Sequence, residues 1–145
     1  MQHHLILRVV SKLLVPPILL FALYVQFHGD FGPGGGFQAG VIFAVAFILY
    51  GLVFSLTQLQ QLVPPWIIHK LVAAGALLYA ATGIASLFLG GNFLDYSALA
   101  HDSIHGQHWG ILIIEFGVGT TVAAVMISIF YAFAGRPPRM SDEDW

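Results

Sequence analysis

The chain has 145 residues, 58% of them hydrophobic and only 8% charged, with a formal net charge of -2 and no cysteine. A mean hydropathy of +0.84 leaves too little polar surface to cover a soluble domain of this size, so lipid must be the solvent. The composition also excludes disulfides, thiolate zinc and iron–sulfur ligation from this chain, and no basic cluster suited to nucleic acid is present.

Four apolar stretches follow in chain order. The first covers about 9–27, carries Pro16-Pro17 as an expected mid-helix kink, and ends in Val25-Gln26-Phe27-His28. That ending is not a small-residue cleavage site, so the stretch reads as a span and not as a signal peptide. The second, about 37–56, opens after Gly32-Pro33-Gly34-Gly35-Gly36. The third, about 66–89, lies between Pro64-Pro65 and Gly90-Gly91-Asn92, and the fourth covers about 109–134. Each approaches the ~20 residues needed to cross the hydrocarbon core. Trp66 and Trp109 stand where interfacial aromatics are expected. The expected fold is an all-α integral membrane bundle of four transmembrane helices, forming one domain over 1–145.

Cation placement predicts the orientation. Arg8, Lys12, Lys70, Arg136 and Arg139 are the five cations, and all fall on one side of a four-span topology. The other two loops, about 28–36 and 90–108, contain no Lys or Arg. By the positive-inside rule both termini are cytoplasmic and these two loops face outward.

The segment His28-Gly29-Asp30-Phe31-Gly32-Pro33-Gly34-Gly35-Gly36-Phe37-Gln38-Ala39-Gly40 is the most unusual in the chain. Consecutive glycines at the start of an apolar helix cost backbone entropy, so their freedom must serve something. Gly36 and Gly40 form a small-xxx-small face suited to close helix approach, the preferred reading. The competing reading is an anion cradle of unpaired N–H groups at a helix N-terminus. It is not a P-loop, because the Gly-Lys-[Ser/Thr] ending is missing.

The stretch from Phe27 to Gly40, centred on Pro33-Gly34-Gly35-Gly36-Phe37, resembles the signature loop of MrpB (MnhB) subunits of Mrp-type multisubunit sodium/proton antiporters. That loop commonly reads Gly-His-Asn-x-Pro-Gly-Gly-Gly-Phe, whereas His and Gly are exchanged here as His28-Gly29 and Asp30 stands for the Asn. Trp109-Gly110-Ile111 through Glu115-Phe116-Gly117-Val118-Gly119 is similar to the acidic, glycine-bearing last helix of the family. The resemblance implies a non-catalytic, multi-pass subunit of the inner (plasma) membrane without a cofactor. It would dock against other small membrane subunits and a large proton-pumping subunit, in an assembly exchanging sodium ions for protons. The same module recurs in archaeal membrane-bound hydrogenase-type complexes, so a membrane-arm subunit of a hydrogenase-like or respiratory complex stands as the alternative.

Glu115 is the one acid within the four expected spans, about six residues past Trp109 and so roughly 9 Å inside. An ionised carboxylate in hydrocarbon is costly, so it must be protonated, paired or facing a wet cavity. It is the candidate ion or proton relay, with docking to a neighbouring subunit as the competing reading. Thr120 and Thr121 would extend a polar path, unless they bond the carbonyls of the preceding turn.

His101, Asp102, His105 and His108 mark the second outer loop as a polar mouth, which His28 and Asp30 could join. If helical, the three histidines share one face and could hold zinc. That would make a stand-alone membrane zinc protein the reading from another class. Gly106 interrupts such a helix and no H-E-x-x-H arrangement exists, so no metal site is expected and the mouth reads as an interfacial, hydrogen-bonded loop.

Overall fold

The structure is a computed structural model, and it describes residues 2–29, 34–99 and 102–136. Those residues form five α-helices: α1 (Gln2–Phe27), α2 (Gly36–Phe54), α3 (Leu56–Leu62), α4 (Pro65–Phe88) and α5 (Ser103–Ala134). A single 3-10 turn, Tyr96–Leu99, lies between α4 and α5. Four of the helices, all but α3, are long and apolar enough to cross a membrane, and no strand occurs among the described residues. The chain is a multi-pass, all-helical membrane protein.

Helix α5 is the axis of the bundle. It packs against α2 on one side and α4 on the other, while α1 lies along α2. Small residues make these contacts, because packing replaces the hydrophobic effect as the association force between helices in lipid. Gly36, Ala39, Gly40 and Ala44 are buried on α2, and Gly117, Gly119, Ala123 and Ala124 on α5. The core then closes around Ala44, Ile68, Ala124 and Ile127, with Phe47, Val63 and Tyr131 against it. Large side chains point outward instead, as Leu13, Leu77 and Phe133 do at 71%, 68% and 71% exposure, where lipid would cover them.

Three boundaries differ by more than a residue from the sequence expectation, the first being α1, which begins at Gln2 and not near residue 9. The second span ends at Phe54, because Ser55 adopts φ 126° and its hydroxyl then accepts a hydrogen bond from Gln58 N–H at 3.3 Å. That cap starts α3, whose Leu59 is fully buried and lies with Phe130 against Gly51. The last helix begins at Ser103, six residues before Trp109, because the Asp102 side chain accepts from Ile104 N–H at 3.3 Å. Gly106 therefore continues the helix where an interruption was expected. It is buried inside α5, and its N–H donates to the Asp102 carbonyl at 2.9 Å.

The described cations collect at one end of the bundle. Arg8 and Lys12 lie over the Phe54 ring at 5.8 and 5.4 Å, Lys70 over Trp66 at 4.7 Å, and Arg136 over Phe133 at 5.9 Å. Tyr131 O–H donates to the Val63 carbonyl at 2.8 Å and fastens α5 to the α3–α4 joint there. Arg139 lies outside the described residues.

Candidate functional site

The opposite end holds the remaining chemistry. The 3-10 turn of the α4–α5 connection packs against the first turns of α5. Gly83 makes room for the Phe93 ring and Gly110 for Tyr96, while the Gln107 amide donates to Ser97 Oγ at 3.0 Å. Burial, with the Tyr79 phenol as the smaller cause, holds the Tyr96 hydroxyl above its ordinary pKa, so it remains a neutral O–H.

Three turns into α5, Glu115 meets the glycine segment. A Cβ built on Gly29 would fall 2.6 Å from Glu115 Oε1, and one on Gly35 would fall 2.8 Å from the same oxygen. One on Gly36 would fall 2.8 Å from the Glu115 carbonyl carbon, which is backbone and cannot turn aside. One helical turn further, a Cβ on Gly40 would meet the Gly119 carbonyl oxygen at 2.5 Å. The carboxylate is thus pressed between two stretches of side-chain-free backbone, one at the end of α1 and one at the start of α2. It sits level with the α1–α2 connection. Sequence reasoning singled out Glu115 and the glycines separately; nothing in the spacing joins positions 29 and 35 to position 115.

A polar atom continues the site inward. Gln26 Oε1 of α1 closes on Gly119 of α5, on the side where Thr120 also lies. Thr121 is turned the other way, with its hydroxyl donating to the Gly117 carbonyl at 2.9 Å and facing Gly75 of α4. The two threonines therefore split between two helix contacts, and only Thr120 lines the same groove as Gln26. Phe37 is exposed at 64%. Gly34 approaches the Gln38 side-chain oxygen and Val25, so its role is to close the connection.

The histidine-rich segment resolves into local pairs. Asp102 caps α5 and also pairs with His105 Nδ1 at 3.1 Å, with both side chains exposed. His108 rests edge-on to Trp109 at 6.3 Å, and His28 stacks on Tyr24 at 4.4 Å. Among the described residues no three His, Asp or Glu side chains converge in a way that would hold a metal ion. Asp30, Pro33 and His101 lie outside the described residues.

The comparisons with known proteins agree with this architecture. A family model described as a domain related to the MnhB subunit of Na+/H+ antiporter matches residues 6–128. The chain is 36% identical over 137 residues to a Staphylococcus haemolyticus (strain JCSC1435) protein named as antiporter subunit mnhB2, covering 92% of this chain and 96% of that one. Proteins of the same name match at 35% over 137 residues in Staphylococcus aureus (strain Newman) and at 32% over 138 in Staphylococcus epidermidis (strain ATCC 12228), with the same two coverages. With four apolar spans and a match over most of its length, the chain belongs to the family of domains related to the MnhB subunit of Na+/H+ antiporters.

Proposed function

We infer that the chain is a small membrane subunit of a multisubunit sodium/proton antiporter, and that Glu115 is its ion-handling residue. Family membership over residues 6–128 carries the first statement. The meeting of the Glu115 carboxylate with the glycine backbone at 29 and 35 supports the second. An acid placed within a span is expensive unless it serves a pathway or a partner. Here it stands at the junction between the connection and the helices, where water from one side can reach it while the bundle continues below. Protons and sodium ions would exchange at this carboxylate, which the glycines admit against the backbone. The chain acts as a transport component rather than an enzyme. Its partners are the other membrane subunits of the assembly, including a large proton-pumping subunit.

The cation end faces the cytoplasm in this reading, which puts both termini inside and Glu115 toward the outer surface of the inner membrane. Because the chain has no cysteine, single cysteines at Gln107 and Asp142 report this directly. Gln107→Cys should react with an impermeant maleimide on intact cells and Asp142→Cys should not; the reverse pattern overturns the orientation. For Glu115 the test is sodium-dependent proton exchange in membrane vesicles containing the whole complex. Glu115→Gln keeps shape and hydrogen bonding but cannot ionise, so exchange should fall at least about tenfold while the complex assembles. Glu115→Asp should retain part of the activity with a displaced pH profile. Normal exchange by Glu115→Gln across the pH range would make the residue a docking contact instead.

A further inference from the structure

Gln26 stands next to the last residue of α1, in a stretch that from Leu13 onward is otherwise aliphatic, aromatic or proline. Its side chain is half-buried and turns onto α5, where the amide oxygen fills the place that a Cβ on Gly119 would take. The Gly36 carbonyl oxygen of α2 lies 3.1 Å from that same place. A carbonyl oxygen has two lone pairs, so its helical hydrogen bond leaves one for another partner. Two oxygens from two helices thus converge over the bare backbone of Gly119, one turn and about 6 Å along α5 from Glu115.

Thr120, the next residue of α5, shares with Gln26 an apolar groove of about 370 Å³. Among the described residues these two are the only polar side chains lining it. Neither makes a hydrogen bond to another described residue, and both keep their polar atoms accessible and not sealed in the interior. The hydroxyls of Thr82, Ser86 and Thr121 behave differently. Each donates to the carbonyl one turn back in its own helix, at 2.9, 3.2 and 2.9 Å. Local satisfaction of that kind is the ordinary state of a hydroxyl within a span. An amide and a hydroxyl left open amid hydrocarbon are costly, so water or a ligand must solvate them.

We propose that the Gln26 amide oxygen, the Gly36 carbonyl oxygen and the Thr120 hydroxyl form a sodium station one turn inward from Glu115. The inference rests on Glu115 being the ion-handling residue. A sodium ion entering a span must exchange its hydration water for oxygens of this kind, as it does where backbone carbonyls line an ion path. A proton has no use for them, because amide, carbonyl and hydroxyl oxygens are not protonated at physiological pH. Glu115 therefore serves both ions, and the neutral oxygens serve only sodium. A sodium ion at the station favours the ionised carboxylate one turn away, and a proton on Glu115 weakens sodium binding by the same factor. That reciprocity is what an exchanger needs, and it makes Gln26 the residue that determines affinity for sodium.

The test is proton exchange in membrane vesicles holding the whole complex, measured over a range of sodium concentrations. Gln26→Leu keeps the approximate volume and removes the amide. It should raise the apparent KM for sodium about tenfold and leave the rate at saturating sodium near that of the parent, as for binding lost equally from ground and transition states. Thr120→Val should raise the same KM about threefold, and Thr120→Ser, which keeps the oxygen, should not. An unchanged KM in Gln26→Leu, or a reduced maximal rate at unchanged KM, would overturn the proposal. Should Gln26→Leu fail to assemble on native gels, Thr120→Val decides by the same split, a raised KM supporting the station and an unchanged one overturning it. Glu115→Gln, by contrast, should depress exchange at every sodium concentration. Inactive Glu115→Gln beside a parental KM in Gln26→Leu would remove the station alone, whereas normal exchange by Glu115→Gln would remove the reading on which it rests.

Discussion

Helix α5 is gripped on two sides by the same device, and the two grips differ in what they enclose. Toward α4, Gly75 lets the backbones close until its Cβ position would lie 2.6 Å from the Gly117 carbonyl oxygen, and the nearby Thr121 hydroxyl is satisfied within its own helix. Toward α2, Gly40 lets the backbones close to the same degree at Gly119, but one turn away the contact ends on the Glu115 carboxylate. The α4 side is packing alone. The α2 side is packing that brings an ionisable group against bare backbone, which is why transport is assigned to it and why the two sides should respond differently to the same kind of substitution.

The largest effects should come from the glycines whose missing Cβ faces backbone on either side. Gly40→Leu and Gly75→Leu both insert a side chain where a carbonyl of α5 already stands, and neither carbonyl can move without moving the helix. Overpacking of this kind costs about 1–3 kcal/mol and more when the backbone must separate. Both variants should lose the assembled complex on native gels, with the remaining folded protein melting earlier. If Gly75→Leu assembled normally while Gly40→Leu did not, the two grips would not be equivalent as packing.

Gly29→Ala separates packing from chemistry. The atoms nearest to the added methyl are those of the Glu115 carboxylate, the free end of a side chain, and the backbone at Gly29 has no positive φ to resist alanine. The helices need not part, so assembly should stay within about 0.5 kcal/mol of the parent, as for ordinary tolerated substitutions. Cation exchange should nevertheless fall several-fold, because the carboxylate must turn away from the place it occupies. Vesicle exchange measured beside native gels decides the point. Gly29→Ala with full activity would show that the carboxylate's position against the glycines is immaterial to transport.

The sequence showed the spans because hydropathy is summed over about twenty residues and survives small errors at each end. It did not show α3, since Leu56–Leu62 carries three glutamines and is too short for any window, and its one buried anchor is Leu59. It places the start of α5 too late, since Asp102 reads as part of a polar loop and Gly106 as an interruption. As a cap, Asp102 offsets the roughly 1 kcal/mol that glycine costs in a helix. Glu115 was legible as a lone acid in an apolar stretch. Its neighbours were not, because a contact between positions 29 and 115 depends on how α5 lies against the end of α1, and no periodicity in either segment records that.

The smallest expected effect tests whether the α4 grip holds any chemistry at all. Thr121 is the polar residue nearest Gly75, and its hydroxyl donates to the Gly117 carbonyl one turn back. A carbonyl in that position already accepts its helical N–H, so the second bond adds little. Thr121→Val keeps the β-branched shape that fills the contact and removes only the hydroxyl. Stability should change by less than about 1 kcal/mol, the net worth of an ordinary hydrogen bond. Exchange should be unaltered at every pH. Thr120→Val, on the side of Gln26, should depress exchange modestly with the same minor effect on assembly. Should Thr121→Val impair exchange as much as Thr120→Val does, the ion path would not be confined to the α2 side, and the division of α5 into a packing face and a transport face would fail.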